Sequence, residues 1–198
     1  MADFFRTSIT DDDFIRGAAR LLVAGTTITF PTGPADIINL STYDAQSGWS
    51  DLGATKSGIT FTRGNQEESF DVDQILDVLD TRPTEWSQTV ATQLAEMTLE
   101  RLQVAWEGGP ITTSGSFRRM GVGGPTSYTR RMLAILFLKQ NGKLRAQVFR
   151  KVNRGAVDSA VAYNKTGEQQ SAPVTFTALA DTSVADVNDR VQVIWDEA

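Results

Sequence analysis

The chain has 198 residues with no cysteine and no histidine, and 19 basic against 24 acidic side chains give it a formal charge of −5. Disulfides, thiolate metal sites and cysteine nucleophiles are excluded, and so are the commonest general base near neutral pH and the imidazole ligands of most catalytic zinc and iron sites. Carboxylate, Lys or Ser–Lys chemistry stays open, but the composition favours a non-enzymatic protein without a cofactor or metal.

Hydrophobic residues at 40% and charged residues at 22% are ordinary for a soluble globular protein with one well-buried core or two small ones. The longest apolar run, Met132 to Leu138, is far short of the roughly 18–20 residues that cross a bilayer. The N-terminal MADFFRTSITDDDF is acidic and lacks the apolar core of a secretory signal. The expectation is synthesis and retention in a cytoplasm. Scattered pairs such as Arg118–Arg119, Arg130–Arg131 and Arg150–Lys151 make a poor grip on a phosphate backbone, which needs clustered cations.

Taken in chain order, Ala19 to Phe30 (ARLLVAGTTITF) predicts a strand stopped by Pro31. A polar connection with Gly33, Pro34 and Gly48 leads to Trp49. Gly58 to Arg63 alternates Ile59 and Phe61 against Thr60 and Thr62, a half-buried strand. Gly64-Asn65 reads as a turn before a second alternating stretch at Phe70 and Val72; Ile75–Pro83 reads as a loop. Thr84 to Thr92 predicts a strand with Trp86 buried.

The pattern predicts a helix from about Gln93 to Glu107, with Ala95, Leu99, Leu102 and Trp106 along one stripe and Gly108-Gly109-Pro110 ending it. Met97 and Val104 lie on a third side, so the helix either contacts a second surface, such as a neighbouring subunit, or is irregularly amphipathic. Gly108 to Tyr128 reads as a loop.

RMLAILFL and LRAQVFRK, joined through Gln140-Asn141-Gly142-Lys143, predict a hairpin with a type I′ turn. That turn would pair Phe137 with Ala146, Ile135 with Val148 and Leu133 with Arg150 on one face. On the other it would pair Leu138 with Arg145, Leu136 with Gln147 and Ala134 with Phe149. The second face is mixed, which suits partial cover by another chain. Alternation at Val174, Phe176 and Ala178, then at Val191, Val193 and Trp195, predicts two closing strands. The fold class expected is mainly β (α+β), a β-sandwich with one flanking helix over a single domain, 1–198, of which 1–47 is the least patterned part.

Several motifs fail on inspection. Gly121-Val122-Gly123-Gly124 lacks the Lys-Ser/Thr of a phosphate loop, and Ser114-Gly115-Ser116 makes no hydrolase elbow. Asp71, Asp73 and Asp77 start like a calcium loop, but Leu76 and Arg82 stand where Gly and Glu are required. Thr10 with Asp13 fits a capping box.

Three stretches in order resemble the major tail protein, or tail tube, family of long-tailed bacteriophages. They are Gly48-Trp49 through Gly53-Ala54-Thr55 to Gly58-Ile59; Val72-Asp73-Gln74 followed by TVATQLAEMTLERL (Thr89 to Leu102); and SAPVTFTALAD (Ser171 to Asp181). The resemblance covers roughly Trp49 to Trp195 and does not extend to Met1–Ser47. It implies a subunit that closes into hexameric rings whose inner sheets join as a barrel. The rings would stack into a tube through which DNA is ejected without specific binding. Implied partners are further copies of the chain, a tape measure protein, and tail tip and terminator proteins. The implied location is the virion tail after synthesis in the host bacterial cytoplasm, and the immunoglobulin-like module of some relatives is expected to be missing. A ring of six copies at −5 each would carry −30, which disfavours sticking to phosphates.

The expected assembly residues are Met97, Val104, Leu136, Leu138, Arg145, Gln147, Ile111, Met120 and Val122, with the loops Thr32–Lys56, Ile75–Pro83 and Gly108–Tyr128 as ring-to-ring contacts. Other readings stay open: a tail terminator or head–tail connector, a carbohydrate-binding sandwich using Trp49, Trp86, Trp106 or Trp195, and a carboxylate hydrolase on the Asp71–Asp80 cluster.

Overall fold

The computed structural model describes residues 19–72, 75–139, 142–155, 161 and 170–197, with backbone alone between 71 and 79. The capping box at Thr10 and Asp13 and the side chains of Asp71, Asp73 and Asp77 lie outside the described residues.

The strands are β1 (Ala19–Gly25), β2 (Trp49–Asp51), β3 (Thr55–Val72), β4 (Ile75–Leu94), β5 (Thr112–Ser114), β6 (Phe117–Arg119), β7 (Arg131–Leu138), β8 (Leu144–Arg154), β9 (Ala172–Leu179) and β10 (Gln192–Asp196). The one α-helix among the described residues is α1 (Leu99–Trp106). The chain is therefore mainly β, as the alternation predicts. No described helix is long and apolar enough to cross a membrane.

Eight strands form one antiparallel sheet in the order β2-β1-β7-β8-β9-β4-β3, with β10 also on β8. The sheet forks at β8. Residues 145–149 pair with β10, whereas 151–154 pair with β9. Between these halves the register with β7 shifts, since Leu133 faces Phe149 but Arg131 faces Val152. The extra residue in β8 is a bulge that bends the strand, and it leaves both Phe149 and Val152 in the same core.

Both faces of the β1–β7–β8 region are buried. Leu21, Val23, Leu133, Ile135 and Phe149 share a core with Val90, Leu94, Val174 and Phe176 and with Ala105 of α1. Leu22, Ala24, Ala134, Leu136, Ala146 and Val148 form a second core, covered by Ile37, Ile38 and Trp49 from the 26–51 connection and by Trp195 of β10. Burial on both faces explains why β1 and β7 read as continuous apolar runs.

The β7–β8 hairpin forms, but one residue out of the expected register. Phe137 pairs with Arg145, Leu136 with Ala146, Ile135 with Gln147 and Leu133 with Phe149. Lys139 and Lys143 close the loop through an N–H···O bond of 2.8 Å, and Gly142 has φ +83°. A three-residue connection ending in a left-handed glycine gives this register, whereas a two-residue type I′ turn does not. The slip puts Ala146 and Val148 in the core with Leu136, so the mixed face expected of the hairpin does not exist in that form.

The helix is also shorter than its periodicity predicts. Gln93 and Leu94 stay in β4, paired with Pro173 and Ala172 of β9. Burying Leu94 in a central strand outweighs the helical preference of the segment. Gly64 and Asn65, expected in a turn, sit inside β3 opposite Ser87 and Trp86, and Ile75–Pro83 is strand, not loop. Gly108–Tyr128 contains the small β5–β6 hairpin.

Candidate functional site

The most unusual feature is the β3–β4 ribbon. β9 supports β4 only over Thr89–Leu94. From Gln88 toward Ile75, β4 pairs with β3 alone among the described residues, from Arg63–Gln88 to Val72–Ile75. At about 3.3 Å per residue the unsupported part extends roughly 30 Å from Arg63 to Val72. We refer to it as the arm.

Residues 65–70 and 80–87 are all exposed, and Trp86, at 54% exposure, is not the core residue its strand pattern predicts. It sits under the Arg63 guanidinium, 4.4 Å from the ring centroid, and Arg82 lies 5.0 Å over Phe70. Arg82 also donates to Glu68 at 2.8 Å. These are cross-strand pairs on a ribbon with no third layer among the described residues, so cation–π and ionic contacts stand in for a core. A register shift at Pro83 and Thr84 adds a bulge, with the Thr84 hydroxyl donating to the Gln66 carbonyl at 3.2 Å. Proline, having no N–H to give, is tolerated at such an irregularity. The outer edge of β3 has no strand partner among the described residues.

At the other end of β4 the chain passes through α1 into residues 110–131. This segment holds four arginines and no acidic residue. Its base is fixed. Glu107, left-handed at φ +53° and buried, accepts from Arg131 at 2.5 Å and from the Thr129 backbone at 3.1 Å. The Gln103 amide donates to the Gly109 carbonyl at 2.9 Å, and the Gly109 N–H donates to Gly121 at 2.8 Å. Gly108 is packed so closely on Met120 that a Cβ there would fall 2.4 Å from the thioether sulfur. Arg118 pairs with Glu100, and its hydrogen bond holds that carboxyl below the usual range. The rest stands open, with Phe117 80% exposed at the β5–β6 hairpin.

The expected assembly residues separate. Leu138 and Val122 are exposed. Ile111 and Met120 are half-buried. Met97 and Val104 pack on the chain's own first core. Leu136 is buried in the second core, and Gln147, also buried, meets the Gln192 amide at 2.5 Å. Neither of the last two is accessible to another copy, because both faces are covered here, Leu136 by Ile37, Ile38 and Trp49 and Gln147 beside Gln192 of β10. Arg145 is ion-paired with Asp196 at 2.6 Å, which raises the guanidinium's pKa. That bond, reinforced by Lys139 at 2.8 Å, holds Asp196 down to about 2.

Sequence reasoning missed the arm residues Arg63, Glu67, Phe70 and Glu85; Arg82 fell within the expected contact segment Ile75–Pro83, and Trp86 entered only the carbohydrate-binding alternative. One available signal was that Ile75–Pro83 contains no glycine or asparagine, unlike a loop. Among the described residues no group of three acidic side chains is close enough to hold a metal ion. An apolar groove of about 320 Å³ lies between Arg20, Ile38, Tyr43, Leu136, Leu138 and Leu144. No protein-family model matches the chain, and no curated protein sequence matches it.

Proposed function

We propose that the chain is the structural subunit of a bacteriophage tail tube, forming hexameric rings that stack into the conduit for DNA ejection, with the inner sheets joining as a barrel. The observation that carries this reading is the arm. A two-stranded ribbon is marginal in water unless a further strand or layer covers it, and an open edge as long as that of β3 invites pairing with another chain. The Phe70 and Trp86 side chains are exposed on it. Identical copies provide the partners, and head-to-tail use of such edges closes rings. The resemblance over Trp49–Trp195 supports the same reading, with the tape measure, tip and terminator proteins as further partners in the virion tail.

Negative-stain microscopy of the purified protein tests it, and the expected result is rings and long tubes whose formation rises with concentration. Rings that never extend would instead fit a terminator or connector. A strictly monomeric protein at high concentration would refute self-assembly.

A further inference from the structure

The charge of this chain is strongly polarised along β4. Residues 66–85 contain seven acidic side chains and one basic, a net of −6, against −5 for the whole chain. The rest of the molecule is therefore close to neutral, and the segment 110–131, with four arginines and no acid, is its basic counterpart. The register places the two at opposite ends. β4 runs from Ile75 in the arm to Leu94, and β7 begins with Arg131 beside the C-terminal end of β8. β4 and β8 point the same way, because each is antiparallel to β9. The basic segment thus lies at the end of the sheet away from the arm's tip.

The exposed members of each set include side chains without an ionic partner among the described residues. On the arm these are Glu67, Asp80 and Glu85; on the basic segment they are Arg119 and Arg130. Both surfaces also expose large apolar groups, Phe70 and Trp86 on one and Phe117, Val122 and Tyr128 on the other. Each surface therefore has the charge and the apolar anchors that complement the other.

Resting on the subunit reading, we infer that the acidic arm of one copy docks in trans on the basic 110–131 segment of the next copy, a head-to-tail contact. Such a contact joins different surfaces and does not close on two copies, so it continues from copy to copy, around a ring or along a stack. Opposite charge sets the polarity and penalises arm-to-arm and loop-to-loop encounters.

The chain has no cysteine, so single cysteines report proximity cleanly. Thr81→Cys and Ser116→Cys variants are mixed and oxidised. The expected product is the mixed Thr81–Ser116 disulfide, formed faster than either self-disulfide and slowed about tenfold between 50 and 500 mM NaCl as screening grows. In parallel, Glu67→Lys with Glu85→Lys should abolish tube extension, as should Arg119→Glu with Arg130→Glu. All four changes in one chain should restore it, and melting curves would confirm that every variant is folded. Tubes that persist in both double variants, or self-disulfides that outpace the mixed one, would overturn the docking and leave the subunit reading intact. Wild-type protein that forms no tubes, together with cysteine variants that form no cross-links, would overturn both.

Discussion

Replacing Glu107 by alanine tests the structural account most directly. Its carboxylate is nearly excluded from solvent (side chain 3% exposed), and its partner Arg131 is only 14% exposed. The substitution strands a shielded guanidinium and the Thr129 N–H together. Breaking a buried pair from one side costs ~3–5 kcal/mol, which for a domain of this length lowers Tm by roughly 6–20 °C. Glu107→Gly should cost about 1 kcal/mol less than Glu107→Ala, because a left-handed backbone disfavours a Cβ. Glu107→Met with Arg131→Met should cost less than the two single changes together, with a coupling on the order of 2 kcal/mol. Urea unfolding followed by tryptophan fluorescence measures all five variants, and Trp106 adjoins the site. A cost for Glu107→Ala below about 1 kcal/mol, or no coupling with Arg131, would refute the claim that this pair anchors the 110–131 segment.

Replacing residues 66–85 by Asn-Gly should leave the stability of the remaining fold within about 1 kcal/mol, since an isolated ribbon contributes little, while eliminating tubes in micrographs. Deleting Ile111–Gly123 should likewise block polymerisation of a folded monomer, read by sedimentation. Phe149→Ala, at a fully buried site, should cost ~3–5 kcal/mol in calorimetry. Asp181 is held down to about 2 from 3.8 by hydrogen bonds from Lys151 and Ser183. On acidification the unfolded chain takes up this proton first, so the contribution is complete above about pH 4 and fades toward pH 2. Asp181→Asn should flatten the fall of Tm across that window, and an unchanged acid limb would contradict the assignment.

The sequence determined the kinds of element and much of their position. Alternation located β9 and β10, and the apolar runs located β1 and the β7–β8 pair, because burial must follow the two-residue period of a strand. The absence of His and Cys excluded whole families of chemistry. Glu107, in contrast, reads locally only as the end of a polar helical stripe, and nothing nearby announces Arg131 as its partner.

Tertiary structure decided the rest. Whether Trp86 is covered depends on where β9 stops pairing with β4, a long-range fact that its own alternation does not encode. The choice between Ala146 and Gln147 opposite Leu136 follows from one additional loop residue, and that shift decides which side chains of β8 share a face with which of β7. Leu94 stays in a strand because β9 pairs with it, against the helical period that runs through it. Local pattern specifies which residues need burial; only the packed sheet specifies which ones it leaves for another molecule to cover.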